Sequence, residues 1–371
     1  MSAALSPQAM LPDLRSMTEA EMVEALTSMG EPPYRGRQLA RWVHARGATT
    51  FQGMTDLPTV LRGELEARFR LTALEIRQRL VSPDGSTTKY LFACPDGSTL
   101  EGVWMRYADG RRSVCVSTQV GCAMACAFCA TGLTGLTRNL TAGEIVDQVY
   151  AMARDQGERP THVVFMGMGE PLANYEATVR AVRLLNAPYG LGVGIRRITV
   201  STVGLVPQIR RLAEEALDIT LAVSLHAPTD ELRARLVPLA RRYPLGELLE
   251  TCRFYIARTR RRITFEYVLL EGVNDTPREA RALGHLLRGM LCHLNLIPWN
   301  PVPGLAFRRP SVERMRTFAW TVRAYGIPTT VRVERGTEIM AACGQLYRAG
   351  TPGRRPTRIG MRGEGTAYGA P

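Results

Sequence analysis

Lysine is all but missing from this chain. Of its 371 residues 47 are Lys or Arg, and Lys89 is the only lysine among them. A GC-rich coding sequence exchanges Lys for Arg everywhere, which accounts for the choice of cation. It does not account for the surplus, a formal net charge of +13. Guanidinium groups grip phosphate in bidentate fashion and stack on bases, so nucleic acid is the leading class of partner. Also missing is any apolar run of about 18 residues, so no membrane span is expected. Residues 1–14 carry no basic stretch followed by an apolar core, so no secretory signal is expected and the chain reads as cytoplasmic. Eight cysteines, three of them bunched, suit a reducing compartment and a metal centre better than a disulfide scaffold. The length and a hydrophobic content of 45% allow one large domain or two smaller ones, each with a core.

The bunched cysteines lie in Gly121-Cys122-Ala123-Met124-Ala125-Cys126-Ala127-Phe128-Cys129-Ala130, with spacing C-x3-C-x2-C. Three thiolates are one ligand short of a closed zinc site or a fully protein-ligated cubane. On a [4Fe–4S] cluster they would hold three irons and leave the fourth open to bind a substrate. The alanines let the chain wrap closely around a bulky centre. On spacing alone a zinc ion with a distant fourth ligand, or a chance cluster of buried thiols, stays open. Phe128, just before the last cysteine, favours the iron–sulfur cluster.

Along the chain, residues 1–15 read as irregular. Thr18-Glu19-Ala20-Glu21 has the form of a capping box, and Met22, Val23, Leu26 and Met29 follow at helical spacing until Gly30. A second helix is expected over 35–45, carrying Arg35, Arg37 and Arg41, and a third over 58–69. Strands are expected over 74–81, 87–93 and 99–107, separated by Pro-Asp-Gly turns. Beyond Arg112 apolar strands (113–118, 161–166, 197–201, 219–225, 264–269, 294–298, 329–333) alternate with helical patterns (142–154, 175–185, 207–215, 244–258, 277–288, 311–325). Continuous apolar strands mean a parallel sheet covered by helices. The expected fold is α/β: a partial (β/α)6-type barrel over 111–348, preceded by a small helical module (1–72) and a β-meander linker (73–110). A flexible tail rich in Gly, Pro, Arg and Thr follows over 349–371.

In such barrels ligands sit at the C-terminal ends of the strands. The cysteine motif directly follows the first strand. The second ends in Met166-Gly167-Met168-Gly169-Glu170-Pro171, where glycine allows close backbone approach and Glu170 could accept from an ammonium. The third ends in Ser201, the fourth in Ser224-Leu225-His226, and the sixth in Trp299-Asn300. These groups could hold a ribose or a carboxylate, although each also reads as an ordinary turn or core residue. Cys115 in the first strand and Cys343 in Ala341-Ala342-Cys343-Gly344-Gln345-Leu346 stand apart from the cluster motif; for each, the plain reading is a small core hydrophobe.

C-x3-C-x-aromatic-C resembles the radical S-adenosylmethionine (SAM) signature. With Tyr34 to Gln38, Met54 to Pro58, Val116 to Cys122, Phe165 to Leu172, Ser224 to His226 and Ala341 to Leu346, the chain resembles the RlmN/Cfr family of radical-SAM RNA methyltransferases almost throughout. That resemblance implies the following roles. Cys122, Cys126 and Cys129 would ligate a [4Fe–4S] cluster. Gly169, Glu170, Ser201, Ser224, Leu225, His226 and Asn300 would bind SAM, two molecules per turnover. Cys343 would carry a methyl group, Cys115 would resolve the RNA adduct through a disulfide, and Glu101 would be the base. The implied substrates are an adenine C2 in 23S rRNA and an adenine beside the tRNA anticodon, with an external electron donor. Methylation at C8 of the same rRNA adenine shares these motifs. A non-catalytic iron–sulfur or zinc RNA-binding protein would need neither Cys115 nor Cys343.

Overall fold

The computed structural model describes residues 11–347; the expected tail over 349–371 lies outside the described residues. The chain opens with helices α1 (Glu19–Ser28), α2 (Pro33–Ala40) and α3 (Thr59–Arg68). α1 starts on the expected capping box, with Thr18 Oγ1 accepting the Glu21 amide and Glu21 accepting the Thr18 amide at 2.7 Å. α2 places Pro33 at its first position, where the missing N–H costs nothing. It continues as a π-turn over Arg41–Ala45, so the helix expected over 35–45 is present with a change of winding. Met22, Leu26, Leu39, Val43, Leu61 and Leu65 from these helices bury one another in a core of their own.

Ten strands then form one sheet. β1 (Glu75–Val81), β2 (Thr87–Ala93), β3 (Thr99–Arg106) and β4 (Arg112–Cys115) run antiparallel. Two short strands, β5 (Gln119–Gly121) and β6 (Leu136–Asn139), make a separate hairpin around the cysteine loop, with helix α4 (Ala130–Leu133) between them. β4 pairs in parallel with β7 (His162–Phe165), followed by β8 (Ile198–Thr202), β9 (Thr220–Ser224), β10 (Ile263–Leu269), β11 (Cys292–Pro298) and β12 (Thr329–Val331). The crossovers are α5 (Ala142–Gln156), α6 (Tyr175–Asn186), α7 (Val206–Glu214), then a short α8 (Asp230–Leu236) with α9 (Leu245–Thr259), α10 (Pro277–Leu287) and α11 (Val312–Arg323). The strands are hydrogen-bonded in chain order and β1 and β12 remain edges, so this is the expected partial barrel. Leu221, Ala222 and Val223 in β9 are all buried, as befits a strand covered on both faces.

The meander is hydrogen-bonded directly into the barrel sheet through β3 and β4. Register therefore places Lys89, which pairs with Val103, and Val103, which pairs with Cys115, on one face; Glu101, two residues before Val103, shares it. The β5–β6 hairpin and α8 were not expected. Three or four residues of strand are too short to show a period.

Candidate active site

The cysteine loop is closed at its base by the β5–β6 hairpin. Gly121 has φ +80°, and a Cβ there would fall 1.9 Å from the Gly135 carbonyl oxygen, so only glycine permits the pinch. The Cys122 amide donates to that same oxygen at 2.9 Å. Farther out the loop is tied to the end of α8 and to the residue that follows β11. The Ala127 amide donates to the Leu236 carbonyl at 2.9 Å, and the Trp299 indole N–H donates to the Phe128 carbonyl at 3.2 Å. Cys126, Phe128, Ala130, Val268 and Trp299 share a small apolar cluster that keeps water from the loop.

The loop is also tied to the segment bearing Cys343. The Ala130 amide donates to the Gly344 carbonyl at 2.8 Å, and Thr131 Oγ1 donates to the Leu346 carbonyl. Asn300 Nδ2 donates to the Cys343 carbonyl at 3.1 Å. Between the two loops lies a cavity of about 130 Å³ whose lining includes Cys129, Ser201, Ser224, His226, Arg332 and Cys343. Five of the expected site residues thus face one space. Asn300 lines an adjoining recess with Cys343 and Arg332.

Gly169, Glu170 and Leu225 do not line that cavity. Gly169 (φ +100°) brings β7's end onto β5, where a Cβ would fall 2.8 Å from the Gln119 amide nitrogen. Glu170 is buried, and its carboxylate accepts the Leu172 amide at 3.0 Å and the Val203 amide at 2.8 Å. Burial pushes its pKa up to about 7 against those hydrogen bonds. The Thr202 side chain is a third partner, and since a carboxylate has about four acceptor sites, one remains for a further donor. The Leu225 side chain lies in the main core, and its amide is spent on the Glu266 carbonyl at 2.9 Å.

His226 sits at φ +60°, and its Nδ1 accepts the Val268 amide at 3.0 Å. Its ring meets Phe128 edge-on at 4.7 Å. Burial lowers its pKa to about 3, so it is a neutral imidazole with the proton on Nε2. Cys115 is buried, and burial pushes its thiol up to about 12. Arg332 and Glu266 line the cavity beside Cys343. Glu101 lies apart, on a cavity of about 410 Å³ with Lys89, Met340 and Tyr347. Its carboxylate meets Lys89 Nζ at 3.1 Å and accepts the Tyr347 amide at 2.9 Å, and burial raises its pKa against the pull of Lys89.

The donor set fits an iron–sulfur cluster. Burial raises the Cys122, Cys126 and Cys129 thiols, so they would ionise on binding a cationic centre such as a cluster. Among the described residues no three His, Cys, Asp or Glu groups converge tightly enough to hold one metal ion. A cluster spreads its thiolates over separate irons and asks for no such convergence. A SAM-sized polar ligand also has an unused partner, since Asn300 Oδ1 is buried without any hydrogen bond.

Sequence reasoning missed Arg332, Glu266 and Arg233. Arg233 is fully buried and donates to the carbonyls of Leu225 (3.2 Å), Val203 (2.6 Å) and Ser224 (3.2 Å), bracing two strand ends at the cavity. In a chain so rich in arginine, nothing local marks a buried one.

The described helices include none long and apolar enough to cross a membrane. The family model for the radical SAM superfamily matches residues 116–282, and that for the ribosomal RNA large subunit methyltransferase N-terminal domain matches residues 12–71. A probable dual-specificity RNA methyltransferase RlmN from Alkaliphilus oremlandii is 51% identical over 91% of this chain and 97% of its own length. A protein of the same description from Symbiobacterium thermophilum is 53% identical over 90% of each chain. The crystal structure of a radical SAM methyltransferase from Sphaerobacter thermophilus superposes with a TM-score of 0.87, at 55% identity, over 90% of this chain and 99% of that one. With matches of this length to both its helical start and its barrel, the chain belongs to the RlmN family within the radical SAM superfamily.

Proposed function

We propose that this protein, a radical-SAM RNA methyltransferase by family, methylates C2 of a specific adenine in 23S rRNA and of an adenine beside the anticodon in tRNA. The observation that carries the reading is that Cys343 lines one cavity with Cys129, Ser201, Ser224 and His226, while Cys115 stands at the C-terminal end of β4 in the sheet that supplies those strand ends. A module that only bound RNA would have no use for two extra thiols there. The relatives matched over nearly their whole length bear the dual-specificity RlmN description, which favours C2 over C8.

Cys122, Cys126 and Cys129 would hold a [4Fe–4S] cluster, and the chemistry it would supply is the one-electron reduction of SAM that generates a 5′-deoxyadenosyl radical. Glu170, Ser201, Ser224, His226 and Asn300 would hold SAM, with Glu170 and Asn300 Oδ1 offering acceptors to its donors. Gly169 would permit its close approach, and Leu225 would shape the site from the core side. Cys343 would first take a methyl group from one SAM by displacement, its sulfur replacing the sulfonium. After losing a hydrogen atom, that carbon would add to the adenine ring. The adduct would pass its ring proton to Glu101, and its unpaired electron would return to the redox centre that Cys122, Cys126 and Cys129 would hold. Cys115 would then attack the Cys343 sulfur. The S–S bond forms, the S–C bond breaks toward carbon, and a proton completes the new methyl group. The helical module expected over residues 1–72 would dock the RNA, and an external donor would supply electrons.

Nucleoside mass spectrometry tests the reading. The protein is reconstituted anaerobically with iron and sulfide, then given SAM, a reductant and protein-free 23S rRNA or tRNA. 2-Methyladenosine in both is the expected product. 8-Methyladenosine would overturn the C2 assignment, and full turnover by Cys343→Ala would overturn the methyl-cysteine route.

A further inference from the structure

The single lysine of this chain stands where its chemistry is hard to replace. Wherever else the protein needs a cation it uses arginine. Lys89 is on β2, 7% exposed, with Nζ 3.1 Å from Glu101 Oε1 and 3.2 Å from the Met340 carbonyl oxygen. The other Glu101 oxygen accepts the Tyr347 amide at 2.9 Å. Met340 and Tyr347 bracket Cys343 in the chain. One buried ion pair therefore grips both stems of the loop that carries Cys343.

That loop has no regular element of its own and is otherwise held by single hydrogen bonds to Ala130, Thr131, Asn300 and the Pro301 carbonyl. No helix or strand runs between β12 and residue 347, and Met340 itself sits at φ +56°. An ammonium is a compact charge that can bridge a carboxylate oxygen and one carbonyl in a closed space. A planar guanidinium asks for a two-point partner and more room. A buried ion pair is also a poor way to gain stability alone, since desolvation cancels most of the attraction. A role in placement explains better why this pair is buried here.

We propose that Lys89 is a positioning residue: through Glu101 and the Met340 carbonyl it sets the Cys343 loop against the face of the sheet that carries Cys115. The same geometry links the loop to Glu101. This inference rests on the reading of Cys343 as the methyl-carrying thiol and Glu101 as the base.

The test uses full-length, cluster-reconstituted protein as wild type, Lys89→Arg, Lys89→Met and Cys343→Ala. Three quantities are read on each: amide hydrogen exchange over 336–347, methylation of Cys343 by intact-protein mass, and methyladenosine formed per 5′-deoxyadenosine released. In Lys89→Arg, exchange over 336–347 should quicken about tenfold, the effect of losing one charge-assisted hydrogen bond. Exchange over the rest of the sheet should stay unchanged, and product per 5′-deoxyadenosine should fall about tenfold, a ratio that general loss of fold does not move. Lys89→Met should do the same or more; should it not fold, Lys89→Arg decides. Wild-type exchange and a wild-type product ratio in Lys89→Arg, with Cys343→Ala inactive, would overturn the positioning role alone. Full turnover by Cys343→Ala would overturn the underlying reading instead, whatever the loop does.

Discussion

Replacing Arg15 by Met should loosen the helical layer from the barrel. Arg15 and Asp147 both have fully buried side chains, and Arg15 Nε stands 3.3 Å from Asp147 Oδ1. This is an ion-pair approach rather than an aligned hydrogen bond, for neither atom has a hydrogen-bond partner. The guanidinium also donates to the carbonyls of Val43 and Ala48, the latter at 2.7 Å, and lies 4.7 Å from the Tyr150 ring centre. The other Asp147 oxygen accepts the Leu74 amide at 2.6 Å. One cation thus joins the segment before α1, the turn after α2 and helix α5. Removing it strands a buried carboxylate, at a cost of about 3–5 kcal/mol. For a cooperative unit of this size that is a fall in Tm of roughly 5 °C, read by circular dichroism. The sign with pH follows from Asp147. Its pKa is raised by burial even beside Arg15, and losing the cation raises it further. The folded variant then holds a proton that the unfolded chain releases, so stability is gained as pH falls through the folded pKa. The deficit should be larger at pH 8 than at pH 6. Arg15→Met with Asp147→Asn should recover most of it. A Tm shift under about 2 °C, or a deficit indifferent to pH, would refute the idea that Arg15 balances a buried charge.

His44 should shape the acid limb of stability. It is buried, its Nε2 lies 2.8 Å from the Met17 carbonyl oxygen, and burial lowers its pKa to about 4. Protons prefer the unfolded state, so stability should fall by up to roughly 3 kcal/mol as pH drops from about 6.5 toward 4. Urea midpoints across that range should lose this slope in His44→Asn; an unchanged slope would assign it elsewhere. For RNA docking, Arg37 and Arg41 are exposed, whereas Arg35 is engaged with Gln38 Oε1 at 2.8 Å and the Asp56 carbonyl at 3.2 Å. Replacing Arg37 and Arg41 by Gln should weaken binding and reduce its log–log salt slope by about one to two. Adding Arg35→Gln should change less. Equal slopes for all variants in a filter-binding titration would remove this face from the RNA contact.

Where the chemistry is local, the sequence determined the outcome by itself. Thr18 and Glu21 are three residues apart, and the capping box they spell is the one formed. The apolar runs around Val200, Val223 and Leu296 carry their strand period within a few residues, and each became a buried parallel strand. Cys122, Cys126 and Cys129 were legible as one motif because a single short loop holds them all. The tertiary structure decided what depends on contacts between distant segments. It pinched the cysteine loop with a hairpin too short to show a period, and joined the meander to the barrel through β3 and β4. It also brought Cys343 and Arg332 onto one cavity, and closed Lys89 on Glu101 and Met340 across the chain. Propensity and capping act over a turn of helix or a few residues of strand. The Lys89–Glu101 pair is made by register between strands and the cavity linings by segments far apart in the chain, so no short stretch of sequence announces them.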